Sequence, residues 1–259
     1  MIMTPKEISQ PNEDERSEKF HSEISLENVL IAGMPQAGST LCFNLIRLLL
    51  EKASHTLFIH FPASPDGQTE HLHHPGTSNR VFQLMKQHFL PPESACWKSH
   101  GIACRDWRIF VVKRDLRDTI ASAIRKDPPL AEDILSICER NIEWYTSSCK
   151  IPAKIYEWTY EEYQSDPLAS LYKLRNQLRS NTPLKELPRI LEQIETLKKE
   201  ALANDPEHNK ILWKVARMRA DHFTNNGIIG GYKGTLTKQQ IEDIEREYGC
   251  WLKKHGYMD

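Results

Sequence analysis

The chain has 259 residues, a length that suits one α/β domain with a sizeable core, so a single domain is expected over residues 28–259. Its 34 basic and 35 acidic residues leave a formal charge of −1, which excludes a global field for DNA, RNA or an anionic membrane surface and makes any anion site a local arrangement. With 39% hydrophobic and 27% charged residues the composition is that of a soluble globular protein, and its longest apolar run, LCFNLIRLLL, is broken by Asn44 and Arg47 and too short for membrane insertion.

Residues 1–27 are polar and acidic, lack the zones of a secretory signal, and are expected to form a flexible arm. Beyond them short strand-like runs alternate with longer helical ones, the pattern of an α/β fold with a central parallel β-sheet flanked by helices on both faces. Strands are expected at 28–32 (NVLIA), 56–61 (TLFIHF), 96–100 (CWKSH), 108–113 (RIFVVK) and 153–160 (AKIYEWTY). Helical periodicity runs over 39–53, 79–89, 117–125, 130–147, 167–179, 188–203 and 238–255. The Pro-, Gly- and His-rich stretch 61–78 reads as a long surface loop. It carries His71, His73 and His74, but no partner pair at ligand spacing accompanies them, so no metal is expected. Six cysteines without a C-x-x-C pair, and no N-x-S/T acceptor, fit a reducing cytoplasm.

The stretch GMPQAGST, from Gly33 to Thr40, lies between an expected strand and an expected helix. That setting places backbone N–H groups and a helix N-terminus where an anion binds, with Gly33 and Gly38 letting the chain wrap closely. A plain turn in which Ser39 caps the helix is the competing reading. A nucleotide triphosphate would require a loop lysine and an Asp closing another strand to hold Mg²⁺. Ser39 stands where that lysine would be, and the strand RIFVVKRD ends in Lys113 and Arg114, so its mouth is cationic and suited to gripping an anion directly.

At these residues the chain resembles the sulfotransferase family, whose members use 3′-phosphoadenosine 5′-phosphosulfate (PAPS) as donor and have a P-loop NTPase-like fold. PQAGST, residues 35–40, resembles the family's first motif, P-K-S-G-T/S-T, and IFVVKRDLRDTIASAIR resembles its second, with Arg114, Asp118 and Ser122 at the R-x-x-x-D-x-x-x-S spacing. The resemblance implies that Ala37, Gly38, Ser39 and Thr40 hold the 5′-phosphate, with Gln36 at the donor site in the place of the family's loop lysine, and that Arg114 and Ser122 hold the 3′-phosphate. Between the motifs the family carries a lysine-x-histidine run, here taken as WKSHG. By that resemblance His100 is the general base toward the acceptor hydroxyl and Lys98 its electrostatic partner, roles that the growing charge of the reaction calls for. YEWTYEEYQSDP resembles the segment whose tyrosine approaches the adenine, here Tyr160. NNGIIGGYKGTLTKQQIE resembles the loop closing over the donor, with Asn225, Asn226 and Gly227 at its start. No metal is required by this chemistry, and the acceptor is a small molecule, glycan or lipid whose identity the sequence leaves open.

Three positions depart from the family pattern. Gln36 replaces the loop lysine, Asn225 and Asn226 replace an Arg-Lys pair at the 3′-phosphate, and Lys238 fills an apolar slot of the family's dimer segment. Arg217 or Arg219 is a candidate source for the missing charge. A catalytically weakened adenosine-bisphosphate-binding protein and a P-loop small-molecule kinase are therefore the competing functions.

Overall fold

The structure, a computed structural model, describes residues 25–61, 70–87, 107–203, 205–218, 220–223 and 227–259. Strands β1 (Ser25–Gly33), β2 (Thr56–Phe61), β3 (Glu70–His74), β4 (Arg80–Lys86), β5 (Trp107–Lys113) and β6 (Lys154–Thr159) form one sheet in the order β3-β2-β4-β1-β5-β6. Every pairing is parallel except β2 with β3, so the expected parallel sheet carries one antiparallel edge strand. Helices α1 (Ser39–Lys52), α2 (Leu116–Lys126), α3 (Ile134–Cys149), α4 (Tyr160–Ser165), α5 (Pro167–Gln177), α6 (Leu187–Leu202), α7 (Pro206–Ala216) and α8 (Lys238–Lys254) flank it. No helix among the described residues is long and apolar enough to cross a membrane.

The central strands are apolar without alternation because both their faces are covered. Val29 to Ala32 of β1 and Ile109 to Val112 of β5 are fully buried. From β1 the chain crosses through α1 to β2 on one side, whereas from β5 it crosses through α2 and α3 to β6 on the other. Right-handed crossovers in opposite directions put these helices on opposite faces of the sheet. They also leave a crevice at the C-terminal ends of β1 and β5, the switch point where open α/β sheets bind ligands.

Five expectations need correction. The helix expected over 79–89 is strand β4, seated between β1 and β2 with Phe82 and Leu84 fully buried. Val81, Phe82, Leu84 and Met85 satisfy helical spacing as well as they satisfy a strand, and pairing on both sides decides between the two. The loop expected over 61–78 contains β3, which pairs with β2 from Phe61↔Glu70 to Leu57↔His74 and stacks His73 on Phe58 at 4.8 Å. Backbone pairing at a sheet edge asks little of composition, which is why histidines sit there. The helix expected across 130–147 begins as a 3₁₀ turn, Pro128–Glu132, and becomes α3 only after Asp133. Residues 25–27, expected to end the arm, open β1, and α7 appears where no element was expected. The strand expected at 96–100 lies outside the described residues.

Candidate functional site

β1 ends at Gly33, and Met34 N donates to Val112 O at 3.2 Å, so the loop departs beside the end of β5. Gln36 and Gly38 have φ of 59° and 91°, which turn the chain back into α1. Gly38, and not Ser39, is the N-cap, and Ser39 is the first helical residue, so the plain capping reading of Ser39 does not hold. The first turn of α1 faces a cavity through Ser39, Thr40 and Leu41. N–H groups at such a helix start have no intrahelical acceptor, and the helix dipole reinforces their positive character. Ala37 is fully buried and anchors the turn in the core.

The other end of the cavity comes from β5 and α2. The Asp115 side chain accepts from Arg117 N at 2.9 Å and caps α2, which holds Arg114 between strand and helix. Arg114 is 5% exposed, its guanidinium lies 4.3 Å over the Tyr160 ring, and Nη2 donates to Ile228 O at 3.4 Å. Nη2 also lies 3.7 Å from Asp118 Oδ2, while the buried Nε has no partner. Fully buried Asp118 accepts from the N–H groups of Gly230 at 2.8 Å and Tyr232 at 2.9 Å, fastening the C-terminal loop to α2. Tyr160, whose hydroxyl accepts from Gln164 Nε2 at 2.7 Å, is wedged between two glycines. A Cβ on Gly38 would come 2.7 Å from its Cδ2, and one on Gly227, where φ is 72°, would come 1.7 Å from its hydroxyl oxygen.

These pieces enclose a cavity of about 200 Å³ with Gln36, Gly38, Ser39 and Thr40 at one end, Arg114 and Ser122 at the other, and Tyr160 and Gly227 on the wall between. Two motifs far apart in sequence therefore meet in one place. Lys98, His100, Asn225, Asn226 and Arg219 lie outside the described residues. Among lining residues the basic side chains Lys86, Arg114, Arg125, Lys126 and Lys198 stand against one acid, Glu195. In a chain of net charge −1, that excess gives the cavity a locally positive field.

Lys86 was not expected here. It closes β4 opposite Ile31 of β1, and its Nζ donates to Thr40 Oγ1 at 2.6 Å. The residue keeps partial exposure, but burial of its ammonium, with Arg217 and Lys126 adding repulsion, lowers its pKa to about 7. Lys86 thus brings to the loop the amine that Gln36 lacks. The signal was in the sequence: Lys86-Gln87-His88 has the same lysine-x-histidine spacing as Lys98-Ser99-His100. A helical reading of 79–89 hid that it closes a strand. Arg217, weighed as a replacement for the missing 3′-phosphate cations, sits at positive φ at the end of α7, stacks over Trp213 at 4.9 Å, and acts on Lys86.

No protein-family model matches the sequence, and no curated protein matches it. Solved structures do match. Mouse sulfotransferase SULT7A1 complexed with PAP aligns at a TM-score of 0.55 and 14% identity, over 87% of this chain and 84% of that one. Retinol dehydratase in complex with androsterone and the inactive cofactor PAP aligns at 0.54 and 14%, over 89% and 82%. Retinol dehydratase in a complex with retinol and PAP aligns at 0.52 and 13%, over 89% and 83%. The chain has the sulfotransferase fold. Within that sulfotransferase fold the cavity lies at the C-terminal edge of the sheet, where β1, β4 and β5 end and contribute the loop, Lys86 and Arg114.

Proposed function

We propose that the protein is a sulfotransferase that binds PAPS and transfers its sulfuryl group to the hydroxyl or amine of a small-molecule, glycan or lipid acceptor, releasing adenosine 3′,5′-bisphosphate (PAP). The observation that carries this reading is the convergence of the glycine turn and the Arg114–Ser122 pair on one cationic cavity. The residues present fit a ligand with phosphate at both ends: helix-start amides face one end, and a buried guanidinium with an unpartnered Nε faces the other.

In this reading backbone N–H groups at Gly38, Ser39 and Thr40 bind the 5′-phosphate, with Gln36 and Ala37 shaping the turn. Arg114 and Ser122 bind the 3′-phosphate, and Tyr160 borders the nucleoside. Gly227 lets the closing loop lie against Tyr160, and Asn225 and Asn226 add amide donors. The donor supplies an activated S–O bond; the acceptor oxygen or nitrogen bonds to sulfur as the bridge to the 5′-phosphate breaks and the electron pair leaves on phosphate. The acceptor proton goes to a histidine, for which a neutral imidazole is suited near pH 7. Lys86, bonded to Thr40, stabilises the charge that grows on the leaving phosphate oxygen. Of the two lysine-x-histidine pairs, Lys98 with His100 and Lys86 with His88, the Lys86–Thr40 bond favours the second, with His88 as base.

Calorimetric titration with PAP tests the site, and turnover of PAPS with a panel of phenols, alcohols, amines and sugars tests the reaction. Comparing His88→Ala with His100→Ala identifies the base as the histidine whose loss abolishes turnover while PAP binding persists. Binding of PAP without turnover across the panel replaces the enzyme with a weakened bisphosphate-binding protein, the outcome that Gln36 favours. Thermal stabilisation by ATP–Mg²⁺ with none by PAP overturns the reading in favour of a kinase.

A further inference from the structure

Positions 225 and 226 hold asparagines where two cations are expected beside a 3′-phosphate, yet the described cavity wall is richer in cations than the motif requires. Asp118, Ser122 and Arg125 are spaced i, i+4, i+7 and form one stripe along α2. The first residue of the stripe is bonded to the C-terminal loop through Gly230 N and Tyr232 N, and the other two line the cavity beside Arg114. We propose that Arg125 is the second guanidinium of the 3′-phosphate site, a charge moved from the C-terminal loop onto α2; the assignment rests on the nucleotide reading above and deepens it.

Two further observations support this placement. Arg125 Nη1 donates to Thr235 Oγ1 at 2.5 Å, which holds the side chain across the gap between α2 and the C-terminal loop. Burial and the nearby Arg114 guanidinium both lower the Arg125 pKa, so the two like charges are held close enough to oppose one another, with Asp118 acting the other way. Asp118 already accepts two backbone N–H groups, and Arg114 Nε is buried without an acceptor. A phosphomonoester between two planar guanidinium forks and the Ser122 hydroxyl relieves the repulsion and supplies acceptors in the geometry that arginine matches and lysine does not.

The test compares two ligands that differ only in the 3′-phosphate, PAP by calorimetry and adenosine 5′-monophosphate by ligand-observed NMR, on the full chain and its variants. Arg125→Gln keeps a donor for Thr235 while removing the charge. It should weaken PAP roughly tenfold to hundredfold and leave the monophosphate unchanged. Arg125→Lys, which keeps the charge and loses the fork, should fall between the two. Unchanged PAP affinity in Arg125→Gln, or an equal loss for both nucleotides, overturns the assignment while the function stands. Wild-type protein that binds neither nucleotide overturns the function and this assignment with it.

Discussion

At the α2 end of the cavity the charge is a guanidinium held in place by its neighbours: Arg114 lies over Tyr160 and bonds Ile228 O, and Asp118 sits behind it. At the loop end the field comes from the first turn of α1 and from the Lys86 amine, brought by a neighbouring strand and held near its point of half-protonation. One end is a fixed anchor. The other is titratable, and it lies where charge develops in the proposed reaction. The contrast teaches that a glycine turn without a lysine of its own can still have one at its side, provided that the sheet brings a strand end alongside.

The sharpest way to break the comparison is at the anchor. Arg114→Ala should lower PAP affinity by about 3 kcal/mol, roughly a hundredfold, through loss of charge-assisted bonds. Calorimetry between pH 7.5 and 9, above the second pKa of the PAP phosphates, should find the same loss throughout; a loss that varies with pH would show that the anchor is not the pH-insensitive end. Next is the joint between the ends. Gly227→Ala puts a Cβ at positive φ against the Tyr160 hydroxyl and should destabilise the fold by about 1–3 kcal/mol in urea denaturation.

The loop end makes the opposite pH prediction. Lys86 has a pKa of about 7 in the free protein, and a bound phosphate raises it, so binding takes up a proton above pH 7 and PAP affinity should fall as pH rises toward 9. In Lys86→Met that slope should flatten, with affinity at pH 7 down about tenfold. The free protein should show a matching stability trend through Lys86. Its folded-state pKa lies below the ordinary 10.5, so the unfolded chain binds more protons between about pH 7 and 10.5, and this group makes stability rise with pH across that window. The smallest effect is a rescue. Gln36→Lys should change kcat little in the wild-type background, and in Lys86→Met it should recover about tenfold or less, because one charge is being restored at a residue already held at positive φ.

Much of this was legible beforehand for identifiable reasons. The apolar run NVLIA announces a strand buried on both faces, and GMPQAGST announces a turn into a helix, because both are local properties of the chain. Asp118 and Ser122 lie four residues apart in α2, so their shared face is written in their order, and Arg114 follows directly on the apolar run of β5. Lys86 was not legible. Its neighbours Val81, Phe82, Leu84 and Met85 fit two periodicities, and only pairing with β1 and β2 makes Lys86 the end of a strand. Arg125 was passed over because nothing in IASAIRKD says which loop packs against that face.

The amino-acid order by itself determined an α/β chain with a phosphate-type turn, a cationic strand end and no loop lysine, since each rests on contacts between residues a few positions apart. Tertiary structure alone decided that β4 lies beside β1, that Lys86 reaches Thr40, and that Arg125 shares a wall with Arg114. The physical reason is that strand neighbours and cavity walls are chosen by burial and backbone pairing between distant segments, and those energies carry no local signature.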